Sequence, residues 1–259
     1  MDWRESRFTR HHNLLTGAAP ITGPIVDNGR TAGKKVGRKV AGGLNVVLQM
    51  QPAGADGSTA FSDQSKYLRT LTAEGNAQVD TAVAQFGNPT ALFDGTGDFI
   101  SSASSVDFDF GTGDFTIEAW VRFNTLNFFN GIFSRSNSSN TLRSFEFYVE
   151  NGQMRFRFRD GANAEYVISG TGSTLATGTF YHLAITREGS TFRLFHDGTQ
   201  RGTASHAAGI RDGTQPQRIG EFVGTTGALN GHIGGIRVVK GKAVYTANFT
   251  PPTGPFPLP

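Results

Sequence analysis

The sequence predicts an all-β protein, an antiparallel β-sandwich carrying an extended N-terminal arm, and three observations predict it. Phenylalanine occurs 22 times and glycine 34 times in 259 residues, the one suited to apolar strand faces and the other to tight turns. Charged residues make up 17% of the chain, against about 25% in typical globular proteins, which disfavours charged amphipathic helices. From Asn45 onward, short alternating apolar and polar runs are punctuated by Gly, Asn and Asp turn signals. There is no cysteine, so a disulfide framework, a zinc ribbon and thiol chemistry are excluded and packing must hold the fold. No run reaches the ~18 apolar residues of a membrane span, and the opening MDWRESRFTRHH lacks the apolar stretch of a secretory signal.

Residues 1–44 form the arm. Arg4, Arg7, Arg10, Arg30, Lys34, Lys35, Arg38 and Lys39 face only Asp2, Glu5 and Asp27, a balance of +5 in a chain whose net charge is +3. Gly and Pro interrupt the segment throughout, and neither a period of 2 nor one of 3.6 is sustained, so it brings no core of its own. It reads either as a disordered basic tail or as an anchor laid on a surface that a partner supplies. Residues 45–259 are expected to form the folded domain.

Within that domain, Phe115, Ile117, Ala119, Val121 and Phe123 make one strand face and Thr116, Glu118, Trp120 and Arg122 the other; the first faces the core. Asn151-Gly152 is a preferred pair for a two-residue type I′ turn, and it sets the register of SFEFYVENGQMRFRFRD. Counting outward pairs Glu150 with Gln153, Val149 with Met154, Tyr148 with Arg155, Phe147 with Phe156, Glu146 with Arg157 and Phe145 with Phe158. Apolar residues then meet apolar ones, and the other face carries a ladder of Tyr148, Glu146, Arg155, Arg157 and Arg159. That ladder is either a solvated face or a binding surface. A second hairpin joins 181–187 to 191–196, Asp197-Gly198 closes the next turn, and 217–220 with 232–239 suggest a last strand pair. No helix is required, apart from a short turn near 240–246.

The runs ALFDGTGDFI at 91–100, GDFTIEAWVRF at 113–123, FYHLAITREGSTFRLFHDG at 180–198 and GKAVYTANFTPPTGPFP at 241–257 resemble the laminin-G-like, concanavalin-A-like jelly-roll family. With GADGSTAFSDQSKYLRTLTAEGNAQV at 54–79, the resemblance covers roughly residues 45–257. The final run is similar to the variant found in tailed bacteriophage virion proteins. The resemblance implies two stacked antiparallel sheets of about 12–14 strands in all, which strands with a single apolar face also require. It further implies a recognition module that binds glycans or proteins. Many members read Ile-Asp-Glu where this chain has Ile233-Gly234-Gly235, which removes two carboxylates. Asp94 and Asp98, in a Gly-rich turn, either cap that turn or contribute to a calcium site, an ion that needs six to eight oxygens. No other cofactor is expected.

Catalytic constellations are not apparent. Glycoside hydrolysis needs paired carboxylates about 5–9 Å apart, and Glu118 has Thr116 and Trp120 as neighbours on its face, so it reads as a single charge on an outer sheet face. The six histidines show no HxxxH spacing, and His206 and His232 stand isolated. No Gly-x-Ser-x-Gly elbow or phosphate loop is present, and no enzymatic activity is expected. Sugars are held by flat aromatic faces beside planar hydrogen-bonding groups, which makes Trp120, Tyr148 and Tyr166, with Arg155 and Arg157, the outward-facing glycan candidates. Trp120 has the alternative of being covered by the arm or a loop. The expected role is a non-enzymatic phage virion protein, a capsid decoration or tail appendage on the virion surface. Its arm would dock on a capsid or tail protein, and its jelly roll would meet host-surface glycans. A homo-oligomer is compatible, nucleic acid ranks below protein as a partner of the arm, and no membrane insertion is expected. The alternative is a free carbohydrate-binding lectin.

Overall fold

The computed structural model describes residues 43–126, 128–137, 142–222 and 227–259. Arg4, Arg7, Arg10, Arg30, Lys34, Lys35, Arg38 and Lys39 lie outside the described residues, and with them the expected anchor.

Two eight-stranded antiparallel sheets make up the domain. Sheet A contains β1 (Val46–Met50), β4 (Gln78–Gln85), β5 (Asn88–Asp94), β7 (Phe115–Phe123), β12 (Phe180–Glu188), β13 (Thr191–His196), β14 (Thr199–Ser205) and β16 (Asn230–Lys240). Its order is β14-β13-β12-β7-β16-β5-β4, with β1 also paired to β16. Sheet B contains β2 (Ala60–Ser62), β3 (Thr70–Glu74), β6 (Phe99–Ser102), β8 (Phe129–Arg135), β9 (Phe145–Glu150), β10 (Gln153–Arg159), β11 (Glu165–Ser169) and β15 (Gln217–Ile219), in the order β11-β10-β9-β8-β15-β6-β3-β2. A one-turn 3-10 helix spans Val106–Phe108.

The inner faces interdigitate through phenylalanines. Phe115 of sheet A stacks on Phe110 at 4.5 Å and meets Phe156 of sheet B at 5.7 Å, and all five residues of its predicted inward face are fully buried. Each of the four larger side chains among them contributes about 1.5–3 kcal/mol by leaving water. The β9–β10 hairpin has the six predicted pairs, with Asn151 and Gly152 at φ +48° and +74° as a type I′ turn requires. The turn at Asp197-Gly198 has the same left-handed pair, at φ +47° and +72°.

Three expectations are corrected. The described residues hold sixteen strands instead of 12–14, among them strands as short as the three residues of β2. The expected last strand pair does not form: β15 pairs with β6 and β8 in sheet B, whereas β16 pairs with β7, β5 and β1 in sheet A. Strands of either sheet bury one face, so an apolar pattern does not say which sheet a strand joins. Glu118 lies on the outer face of sheet A but is fully buried, because residues 241–258 cross that face. This strap is tied by Thr116 Oγ1 to the Lys242 carbonyl (3.0 Å), Thr186 Oγ1 to the Tyr245 carbonyl (2.9 Å), and Gln49 Nε2 to the carbonyls of Phe256 and Pro257 (3.2 Å each).

The glycines of Ile233-Gly234-Gly235 have a steric reason. They form a bulge in β16 where β5 gives way to β1 along the same edge. A Cβ on Gly234 would stand 2.7 Å from Gln85 Cβ, and one on Gly235 would stand 2.8 Å from Gln51 Oε1. The β4–β5 hairpin folds over this bulge, and its Phe86 ring meets Trp120 edge-on at 5.1 Å.

Candidate functional site

The hairpin register sets Glu146, Tyr148 and Glu150 of β9 beside Arg155 and Arg157 of β10 on the outer face of sheet B. Arg157 donates to Glu146 Oε2 from Nε (2.9 Å) and Nη2 (2.6 Å), and Arg143 Nε approaches the same oxygen at 2.9 Å. Arg155 Nε donates to Glu150 Oε2 at 3.1 Å. The two pairs differ in setting. Glu146 is fully buried, whereas Glu150 and Arg155 each leave about a quarter of the side chain in solvent.

Aromatic rings surround these pairs. The segment after β15 is drawn over the face by Ser134 Oγ donating to the Glu221 carbonyl at 2.7 Å, and this lays Phe222 on Tyr148 at 4.7 Å. Phe129 meets both rings, at 5.2 and 5.9 Å, and Phe128 packs edge-on against Phe129 at 4.4 Å. The Arg157 guanidinium stands 5.4 Å from the Tyr148 ring centre and 5.7 Å from that of Phe222. Burial pushes the Tyr148 hydroxyl up to about 12. Burial also raises the Glu221 carboxyl, although Arg218 Nη1 lies 2.5 Å from its Oε2. Phe128 is 59% exposed, a bare ring next to the turn that carries Glu150, since its carbonyl accepts from Asn151 N at 3.1 Å.

Of the five glycan candidates, the structure brings Tyr148, Arg155 and Arg157 together and places Trp120 and Tyr166 elsewhere. Tyr148 is not outward-open as expected: it is 3% exposed under Phe222 and acts as a floor. Trp120 sits on sheet A, nearly buried under Phe86 and against His182 at 5.2 Å, so the covering loop is the β4–β5 hairpin. Tyr166 pairs with Phe158 in register and therefore points inward, stacked on that ring at 5.0 Å, with its hydroxyl donating to Asp160 Oδ2 at 3.1 Å. Sequence reasoning missed Phe128, Phe129 and Phe222, for which the doublet Phe128-Phe129 between Asn127 and Asn130 was the available signal.

The Gly-rich turn resolves as a capped turn. Asp98 accepts the backbone N–H of Asn76 (2.6 Å) on one oxygen and that of Asp94 (2.7 Å) on the other. Asp94 accepts from Thr96 N (2.8 Å) and from Asn76 Nδ2 (3.1 Å). Both carboxylates serve as turn caps, and among the described residues no group of three or more His, Cys, Asp or Glu is placed to hold a metal. A cleft of 360 Å³ beside this turn is lined by Thr59, Gly75, Asn76, Gln78, Leu92 and Asp94. His232, expected to be isolated, contacts Asp80 Oδ2 through Nε2 at 2.9 Å.

A laminin G type profile, described as the concanavalin A-like lectin/glucanases superfamily, matches residues 94–244, more than half of the chain. No curated protein matches the chain in sequence. Among solved structures, the binding domain of Paraclostridial Mosquitocidal Protein 1 is similar at 17% identity and a TM-score of 0.58, covering 78% of this chain and 50% of that one. The receptor binding domain of botulinum neurotoxin C/D mosaic serotype is similar at 15% identity and 0.57, covering 77% and 49%. That of botulinum neurotoxin D stands at 13% and 0.57, covering 77% and 50%. The chain thus spans about half the length of these toxin domains, and the likeness is one of fold.

Proposed function

The chain belongs to the concanavalin A-like lectin/glucanase superfamily, and from that premise we propose that it is a non-enzymatic recognition module that binds host-surface glycans on the outer face of sheet B. The observation that carries this reading is the exposed Phe128 ring, packed on Phe129 at the strand end that pairs with Glu150, whose ion pair with Arg155 is partly open to solvent. A sugar offers a C–H face and adjacent hydroxyls, and a ring next to a carboxylate–guanidinium pair matches both. The non-enzymatic reading is supported by the commitment of Glu146 and Glu150 to arginines, of Glu118 to Arg237 and His182, and of Glu221, whose carboxyl burial raises, to Arg218. The binding and receptor-binding domains with the same fold favour recognition over catalysis by analogy.

We further propose that the module is displayed on a phage particle, as a capsid decoration or tail appendage. Two sequence features support this: the +5 balance of residues 1–44 and the likeness of the ending at 241–257 to phage virion proteins. Many weak sites on one particle would add into useful avidity. The test pairs a glycan array, probed with full-length protein, with co-sedimentation on particles stripped of the protein. A variant with Arg30, Lys34, Lys35, Arg38 and Lys39 changed to Gln is expected to keep array binding and lose the particle. Array binding without particle association by the wild type would make it a free lectin, and silence in both would end the proposal.

A further inference from the structure

The connection from β2 to β3 is built around one buried carboxylate. Asp63 is 4% exposed; its Oδ1 accepts from Gln49 N (3.0 Å) and Ser65 N (2.9 Å), and its Oδ2 from Ser65 Oγ (2.8 Å) and Arg69 N (3.0 Å). Held this way, the loop drives Leu68 into the left-handed region at φ +45°, an unfavourable angle for a leucine, and leaves it 76% exposed. The Arg69 guanidinium ties this apex to the 3-10 turn. It pairs with Asp107 and lies 4.8 Å from the Tyr67 ring and 4.9 Å from the Phe108 ring. Val106, the residue before Asp107, is 75% exposed. Two further cations flank the tip: Lys240 Nζ donates to the Val106 carbonyl at 2.9 Å, and Lys66 Nζ stands 5.0 Å from the Tyr67 ring.

We propose that this tip, Leu68 and Val106 framed by Lys66, Arg69 and Lys240, is a contact site for an anionic lipid bilayer surface. Size and shape decide the partner. A stable protein interface buries more than ~1,000 Å² and centres on anchors sunk in pockets, whereas two projecting aliphatic side chains offer far less area and no groove. A bilayer interface accepts small projecting apolar groups, and its anionic headgroups attract the surrounding cations. Two carboxylates face these three cations, Asp107 paired with Arg69 and Asp63 buried beneath the loop, and a net positive charge remains at the tip. The proposal is independent of glycan binding on sheet B.

The test is co-sedimentation of the full chain with vesicles of 70% phosphatidylcholine and 30% phosphatidylglycerol, against vesicles of pure phosphatidylcholine. Leu68→Gly with Val106→Ser leaves every charge in place, and glycine adopts the φ of position 68 freely, so folding is not put at risk. This variant is expected to lose about tenfold or more in partitioning, and Lys66→Ala or Lys240→Ala about fivefold each. If the wild type ignores the anionic vesicles, or the Leu68→Gly/Val106→Ser protein binds them equally well, the tip is no lipid contact. The second result would assign the adsorption to the basic N-terminal segment.

Discussion

The carboxylate of Glu118 and the ring of His182 meet at 3.0 Å with neither side chain exposed, on a sheet face that would be open to water without residues 241–258. Arg237 Nε (2.8 Å) and the Tyr245 hydroxyl (2.8 Å) donate to the same carboxylate. Glu118→Gln leaves Arg237 buried without its counter-charge and is expected to cost about 3 kcal/mol, read from the urea midpoint at constant slope.

The same group sets an acid limit. Burial works to raise the Glu118 pKa, but the His182 bond and the Arg237 charge outweigh it and hold it below the ordinary 4.5. Because the folded-state value is the lower one, this contribution is complete above the unfolded value and is lost as pH falls through the folded pKa. Thermal midpoints should therefore drop below about pH 4.5, and the drop should be shallower in Glu118→Gln.

Gly234→Asp, which restores one carboxylate common in the family, should destabilise by about 1–3 kcal/mol because the new Cβ collides with Gln85. Gly254→Ala, which meets nothing within 4 Å, should stay within about 0.5 kcal/mol of wild type. Chemical denaturation of both variants checks the pair.

Phe86 sits at φ +53° above Trp120. Phe86→Gly relieves the backbone and removes the cover, so in a Trp3→Phe background acrylamide quenching of Trp120 fluorescence should rise several-fold. Unchanged quenching would mean that other side chains shield the indole.

On sheet B, Phe128→Ala and Arg155→Ala should each weaken binding of an array-selected glycan about tenfold by calorimetry, the size of losing one ring or one charged pair. Tyr166→Phe, which removes only the hydroxyl bonded to Asp160, should leave the affinity unchanged.

The hairpin at Asn151-Gly152 was legible because its register depends on two residues and strict alternation. The core strand 115–123 was legible for the same reason. The setting of Glu118 was not, since its cover arrives more than 120 residues later in a Gly- and Pro-rich run without periodicity. Tyr166 was misjudged because its orientation follows from pairing with Phe158 across an irregular loop. Phe128 looks like any strand-edge aromatic, because nothing in its run of residues says that the ring stays exposed. The sandwich is therefore written locally, while the site depends on which distant segments cover which face.

Gln49, in the first strand, is capped by the carbonyls of Phe256 and Pro257, and that strand itself hydrogen-bonds to β16. A strand made early in the domain must therefore wait for a segment made some two hundred residues after it. Translation of everything between β1 and β16 passes with β1 unpaired to its final neighbour, a strand edge open to any other that drifts past. Yield in expression should accordingly respond to translation speed and chaperone supply more than to small gains in the stability of the finished sandwich.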